Sequence, residues 1–100
     1  MIKPEPTVPT HLSEQSRETW AATLRQYDLR RDELDLLEAA LGQLDRAAEA
    51  RRHLDADGLM VPGLHGPRLN PLATVERASA ATAARLFKML GLRDDDAPQP

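Results

Sequence analysis

The sequence predicts an all-α fold of three main helices, with a small β-hairpin between the second helix and the third. Two observations predict it. Apolar residues, mostly Leu and Ala, recur at helical spacing in three segments, and glycines and prolines cluster between residues 58 and 71. The only aromatic residues are Trp20, Tyr27 and Phe87, so 100 residues supply one domain with a small core.

The chain divides into three parts. Residues 1–11 contain Pro4, Pro6 and Pro9 without a periodic apolar pattern, which predicts a flexible N-terminal arm. Residues 12–92 predict the helical domain. Residues 93–100 contain Asp94, Asp95 and Asp96 and predict a disordered acidic tail.

The first helix is predicted to begin after Ser13, a favourable N-cap, with Glu14 in the first turn, where the helix dipole stabilises an acid. Trp20, Leu24 and Tyr27 then follow at i, i+4 and i+7 and form one apolar stripe.

The second helix is predicted to be capped by Asp32 and to end near Leu54, a length of roughly 35 Å. One stripe has the three-and-four spacing of a coiled-coil seam and comprises Leu34, Leu37, Leu41, Leu44 and Ala48. A second stripe, about 110° round the axis, comprises Leu36, Ala40, Ala47, Ala50 and Leu54. Two apolar faces require two packing partners. A short chain offers few partners, so we expect a homo-oligomer.

Gly58 is predicted to end this helix in a left-handed conformation. Two short extended pieces then flank a glycine turn at Gly63 and Gly66, which predicts the hairpin. Pro62 and Pro67 cannot donate to a ladder and restrict the pairing to an edge arrangement. An isolated two-stranded ribbon is marginally stable, so we expect it to pack on a neighbour.

The third helix is predicted to begin at Asn70 and Pro71, as cap and first helical residue, and to end at Gly91. Its predicted apolar face comprises Leu72, Val75, Ser79, Thr82, Leu86 and Met89. The nearby small residues, which allow another helix to approach closely, are Ala78, Ala81 and Ala83.

Composition excludes several functional classes. The chain has no cysteine, which rules out disulfides and thiol chemistry. No apolar run approaches the roughly 20 residues of a membrane span, and the N-terminus lacks the apolar core of a signal peptide, so we expect a cytoplasmic protein. The three histidines have no ligand spacing, and the glycines lack the pattern of a phosphate loop. We therefore expect no metal, no cofactor and no enzymatic activity.

The net charge of −3 is unevenly distributed. Residues 1–57 contain 8 basic and 12 acidic residues, residues 58–93 contain 5 basic residues and only Glu76 as an acid, and the acidic tail follows. A locally basic segment favours an anionic partner such as DNA. The predicted DNA-binding residues are Arg51, Arg52, Arg68, Arg77, Arg85 and Lys88. The structural alternative is that Arg51 and Arg52 complement a helix dipole and the others line a solvated face.

Several landmarks resemble one protein family. In chain order they are Pro9-Thr10-His11-Leu12-Ser13, Trp20, Asp35, Gly58-Leu59-Met60-Val61, the glycine turn from Gly63 to Gly66, Asn70-Pro71 and Leu90-Gly91-Leu92. Together they resemble the small terminase subunits of long-tailed phages. The likeness covers about residues 9–92 and is most specific from Gly58 to Pro71. It departs from the family at Arg93, where members usually continue with a Pro-Ser-Arg type segment.

The resemblance implies a ring-forming, non-enzymatic subunit that recognises double-stranded phage DNA at the packaging site of the genome and delivers it to the large ATPase and nuclease subunit of terminase. Two alternatives stay open from the residues themselves. One is a small prophage-encoded DNA-binding regulator that uses the first two helices, and the other is a purely structural interaction module.

Overall fold

The computed structural model describes residues 6–92 and is predominantly helical. Its elements are α1 (Glu14–Gln26), α2 (Arg31–Asp57), β1 (Met60–Val61), β2 (Arg68–Leu69) and α3 (Leu72–Leu90). The prediction of three helices with a small hairpin between the second and the third is thereby confirmed. The acidic tail and residues 1–5 of the predicted arm lie outside the described residues. Residues 6–11 have no regular structure, and Val8 packs against the core.

The predicted start of α1 is confirmed. Ser13 is the N-cap, and its hydroxyl accepts a hydrogen bond from the backbone N–H of Ser16 at 3.1 Å. Trp20 is buried, and Leu24 and Tyr27 pack against the core as the predicted stripe requires.

The predicted cap of α2 was wrong. The N-cap is Arg30, whose backbone N–H donates to the Glu33 carboxylate at 2.9 Å. This hydrogen bond satisfies the backbone N–H at the start of the helix with a side chain of the first turn, so α2 does not need Asp32 as a cap. Asp32 instead lies beside the Arg30 guanidinium, at 3.2 Å, and this hydrogen bond lowers the pKa of the Asp32 carboxyl.

Helix α2 also ends later than predicted, at Asp57 rather than Leu54, which gives a length of about 40 Å. Gly58 closes it by donating its N–H to the Leu54 carbonyl at 2.8 Å. The predicted positive φ of Gly58 is confirmed at 90°, but ψ is 160° and not the left-handed helical value. This region of backbone conformation is essentially restricted to glycine. An added Cβ would meet only the Met60 carbonyl oxygen, at 3.7 Å, so backbone conformation and not space requires glycine here.

Helices α2 and α3 pack together along much of their length through small side chains. The buried small residues of the two helices are Ala40, Ala50, Ala73, Ser79 and Ala83. The predicted apolar face of α3 was partly wrong. Met89 is 68% exposed and Thr82 is only half-buried, while Ala83 and Leu90 are buried. The alanine side of α3 forms the contact because methyl side chains let the two backbones approach closely.

The core cluster lies where α1 meets the first half of α2 and the end of α3. Its buried members are Leu12, Trp20, Leu29, Leu37, Leu41 and Leu90. The first stripe of α2 is therefore covered as far as Leu41, but beyond it Leu44 and Ala48 are exposed. Both packing partners of α2 come from the same chain. The two stripes by themselves thus give no reason to require a second copy.

The hairpin pairs Met60 with Leu69 and Val61 with Arg68 in antiparallel register. Its base is tied to both long helices by the buried Asn70. The Asn70 side chain donates to the Gly58 carbonyl at 3.1 Å and accepts from the N–H of Leu72 at 3.1 Å. The predicted start of α3 was one residue early, because the helix begins at Leu72 with Pro71 as its N-cap, but the Asn70 side chain still satisfies the N–H of the first helical residue. The Asn70 backbone N–H donates to the Leu59 carbonyl at 2.7 Å. The predicted left-handed Gly91 at the end of α3 is confirmed, with φ 75°.

Two glycine substitutions should change stability in opposite directions. Gly58→Val should lower the free energy of unfolding by about 1–3 kcal/mol, because it forces a branched side chain into a backbone conformation that only glycine adopts readily. Gly42→Ala is the matched control. Gly42 lies inside α2 with no atom within 4 Å of an added Cβ, so alanine should stabilise by about 0.5–1 kcal/mol. Denaturant unfolding of both variants tests this, and a neutral Gly58→Val would contradict the placement of the helix end.

Candidate nucleic-acid interface

Three basic side chains of α3 share the face that points away from α2. At 100° per residue, Arg77, Arg85 and Lys88 fall within an arc of about 80°. The buried residues Ser79 and Ala83 lie on the opposite side of the helix. All three basic residues are exposed, and they extend over about 16 Å of the helix axis. We call Arg77, Arg85 and Lys88 the basic face of α3.

No carboxylate of the described residues forms an ion pair with the basic face. The one acid of α3, Glu76, is half-buried on the side toward α2, where it pairs with Arg51 at 3.4 Å. Arg85 donates to the Thr82 hydroxyl at 3.3 Å, a neutral partner that leaves the guanidinium charge uncompensated. The basic face is therefore available to an external anion.

The remaining predicted DNA-binding residues are placed differently. Arg51 lies between two carboxylates, Asp55 at 3.2 Å and Glu76 at 3.4 Å, so its charge is compensated within the chain. Neither Arg51 nor Arg52 lies in the last turn of α2, because that helix continues to Asp57. Their predicted role in complementing the helix dipole is correspondingly weakened, since the dipole acts within the last turn.

Arg52 and Arg68 are exposed, and neither forms an ion pair with a described residue. Arg68 lies on β2, where its aliphatic stem covers Gly63 of the hairpin loop. The structure thus groups three of the six predicted residues on one rigid helix face and engages Arg51 in internal ion pairs.

A polar cluster centred on Asp45 was not predicted. The Asp45 carboxylate, in the middle of α2, accepts three hydrogen bonds from the start of α1. They come from the backbone N–H of Ser13 at 2.7 Å, the Ser13 hydroxyl at 2.6 Å and the Ser16 hydroxyl at 2.6 Å. From the sequence, no role was assigned to Asp45. Asp45 lies four residues after the buried Leu41, on the side of α2 that faces α1. That spacing could have predicted its contact with α1.

Two opposing effects set the pKa of Asp45. Burial raises the pKa, but the hydrogen bonds from Ser13 and Ser16 and the nearby His11 favour the charged form, and the net result is a pKa below the ordinary value. A second contact holds the same segment, because the His11 imidazole lies 3.7 Å from the Glu38 carboxylate. Asp45 therefore acts as an anchor for the N-terminus of α1.

The Asp45 cluster has the geometry of a helix cap. The Ser13 hydroxyl donates to Asp45 and accepts from Ser16, so both of its functions are used in holding the backbone.

Among residues 6–92 we find no group of three or more His, Cys, Asp or Glu side chains arranged to hold a metal ion. Within the same range, no helix is long and apolar enough to cross a membrane.

Comparisons with protein-family models, with curated proteins and with solved structures find no match to this chain. The resemblance of residues 9–92 to small terminase subunits therefore stays a prediction, and the functional argument depends on the basic face itself.

Replacing Asp45 should make stability less dependent on pH. The folded-state pKa lies below the unfolded value of about 3.9, so the carboxylate stabilises the fold above that pH and loses this contribution as pH falls through the folded-state pKa. At pH 7, Asp45→Asn should cost about 1–3 kcal/mol, because hydrogen bonds to a charged acceptor are weakened.

The measurement is thermal unfolding of wild type and Asp45→Asn at pH 7 and near pH 3. The difference in stability between the two proteins should be smaller near pH 3 than at pH 7. Glu49→Gln is the control. Its carboxylate is exposed on the same helix, 3.9 Å from His53, and its loss should change stability by less than about 0.5 kcal/mol. An equal effect of the two substitutions at pH 7 would argue against the anchoring role of Asp45.

Proposed function

We propose that this chain is a DNA-packaging adaptor of the small terminase subunit type. In this proposal it has no enzymatic activity, works as a homo-oligomer, binds double-stranded viral DNA through the basic face of α3 and presents that DNA to a large terminase subunit. The observation that carries the proposal is the basic face, whose three cations have no carboxylate partner among the described residues.

The chemistry of the basic face suits a phosphate backbone. Duplex DNA carries one negative charge per roughly 1.7 Å of axis, so a row of cations about 16 Å long can meet several phosphates at once. Ala81 and Ala84 are exposed on the same side and are small enough to let the backbone come close. Contacts of this kind position DNA without reading its sequence.

The negative total charge does not oppose this binding. Exposed charges separated by more than about 8–10 Å are largely screened at physiological salt, so DNA responds to the local potential of α3. The segment from 58 to 93 carries 5 basic residues and one acid, and that acid is already paired with Arg51.

Removing two charges from the basic face should weaken DNA binding. Arg77→Ala combined with Arg85→Ala should lower the affinity for a phage-end duplex between about tenfold and a hundredfold at 0.1 M salt. The dependence of log affinity on log salt should become shallower by about 1.8, because each phosphate contact contributes about 0.9. Fluorescence anisotropy at several salt concentrations measures both quantities.

The control is Arg30→Ala combined with Arg31→Ala. It removes the same two charges from the start of α2, where both side chains lie in ion pairs with carboxylates. An equal loss of affinity in the two double variants would mean that DNA senses only the total charge. Unchanged affinity in the α3 variant would remove the basic face from the interface, and with it the proposal.

The acidic tail should compete with DNA for the same cations. Replacing Asp94, Asp95 and Asp96 with asparagine removes three negative charges close in sequence to Lys88, so DNA affinity should rise. The gain should shrink as salt is added. The same anisotropy titration tests it, and an unchanged affinity would show that the tail does not reach the DNA-binding surface.

A further inference from the structure

Helices α2 and α3 enclose a groove along one side of their contact. Its volume is about 270 Å³, and the polar side chains that line it are Gln43, Arg46, Thr74, Ser79 and Thr82. We call it the α2–α3 groove. Among the described residues, no carboxylate lines it. Guanidinium, amide and hydroxyl groups all donate hydrogen bonds, so this lining suits an anion.

Ser79 has a buried hydroxyl that the fold does not use. Ser79 is only 5% exposed, and its hydroxyl has no hydrogen-bond partner among residues 6–92. Most buried polar side chains are paired, and Thr82 shows the local solution by donating to the Ala78 carbonyl at 2.9 Å. Every fully enclosed polar atom of the described side chains has a partner, so the Ser79 hydroxyl opens into the groove that it lines.

Arg46 brings an uncompensated charge to the groove. It is exposed and forms no ion pair with a described carboxylate. Two acids border a neighbouring groove that Arg46 also lines, but both have other partners. Asp35 pairs with Arg31 at 3.4 Å, and Glu38 lies 3.7 Å from the His11 imidazole. The Arg46 guanidinium is therefore available to an external anion.

The α2–α3 groove adjoins the basic face of α3 at Arg85. At 100° per residue, Arg85 lies within about 20° of Thr74 and about 60° of Thr82 round the helix axis. Arg85 donates to the Thr82 hydroxyl at 3.3 Å, which holds its guanidinium at the edge of the groove. Arg46 on α2 and Arg85 on α3 therefore place positive charge on both sides of the groove.

We propose that the α2–α3 groove binds one phosphate group of the DNA backbone. Arg46 supplies the charge, and the Ser79 hydroxyl donates a hydrogen bond from the floor of the groove. Gln43 and Thr74, whose side chains also have no partner among residues 6–92, donate from its sides. Side chains of these types are the usual protein contacts of a backbone phosphate. The inference rests on the proposed function, because it extends the DNA interface from α3 onto α2.

A backbone phosphate suits the groove better than a free phosphate ion. The groove lining offers one guanidinium, which matches the single negative charge of a backbone phosphate. A phosphate monoester carries about −1.5 to −2 at pH 7 and would keep part of its charge uncompensated. When neighbouring phosphates of the same duplex lie on the basic face, the groove also meets its phosphate at a high effective concentration.

The first test removes the charge of the groove. Arg46→Ala should lower the affinity for the phage-end duplex about eightfold at 0.1 M salt, measured by fluorescence anisotropy on the full chain. The dependence of log affinity on log salt should become shallower by about 0.9, the contribution of one phosphate contact. Arg25→Ala is the matched control. It removes an exposed arginine without an ion pair in the described chain from α1, which does not line the groove, and should change affinity by less than about twofold.

The second test leaves the charge unchanged. Ser79→Ala removes a hydroxyl that has no partner in the described fold, so the melting temperature should not fall. Duplex affinity should nevertheless drop about three- to tenfold, because a hydrogen bond to a charged acceptor is lost. A merely structural role of Ser79 would lower the melting temperature and leave the affinity unchanged.

Loss of duplex affinity in both variants supports the proposal. Loss in Arg46→Ala alone would reduce the contact to a surface charge and overturn the groove. Unchanged affinity in both would overturn a DNA phosphate as the ligand. Inorganic phosphate then identifies the source, with sodium chloride of equal ionic strength as its control. Shifts of the backbone amide signals of residues 74–82 in wild type but not in Arg46→Ala would reassign the groove to a free phosphate ion, and their absence would remove the site.

The same titrations separate this inference from the proposed function. If the variant with Arg77→Ala and Arg85→Ala loses affinity while Arg46→Ala and Ser79→Ala do not, the groove fails and the basic face stands. If only the two groove variants lose affinity, the basic face fails and the groove stands.

Discussion

The close packing of α2 against α3 determines where the other elements can lie. The two helices meet through methyl and hydroxymethyl side chains such as Ala40, Ala50, Ser79 and Ala83, which favour the short end of the usual 8–10 Å interaxial range. Small side chains bury little apolar area each, so the contact needs length to be stable. Because Ser79 and Ala83 face α2, the basic face of α3 points outward. The length of the contact brings the C-terminus of α3 to the core cluster, where Leu90 packs.

The features that depend on local backbone chemistry could be predicted from the sequence. Ser13 and Gly91 are caps in the structure, and Asn70 hydrogen-bonds the first N–H of α3, because hydroxyl, glycine and amide groups satisfy helix ends wherever a helix stops. The register of α3 could not be predicted, since alanine appears on every side of that helix and Ala83 could be assigned to the buried face only once α2 was placed. The same holds for Asp45, whose partners lie 29 and 32 residues away in the sequence. Of the candidate site, the basic residues and their helical spacing were predictable, but the direction of their face, away from α2, was not.

The hairpin combines a backbone that depends on glycine with an exposed apolar side chain. It holds glycine-dependent backbone at Gly63 and Gly66, and it exposes Leu64 almost completely. Neither property strengthens the packing of α2 with α3. Asn70 nevertheless holds the hairpin base with hydrogen bonds to Gly58 and Leu59, so the segment has a defined position relative to both helices. A fixed apolar projection at the end of a helical pair is suited to contact another molecule.

Assembly and DNA binding reinforce each other in the proposed arrangement. Three cations on one helix can make only a few phosphate contacts, so the affinity of a single copy for DNA is low at physiological salt. Several copies held in a ring present the same basic face repeatedly, so once one subunit is bound, the next meets DNA at a high effective concentration. In the proposed homo-oligomer, a subunit that offers few cations can thus bind DNA through the repeated basic faces of the ring.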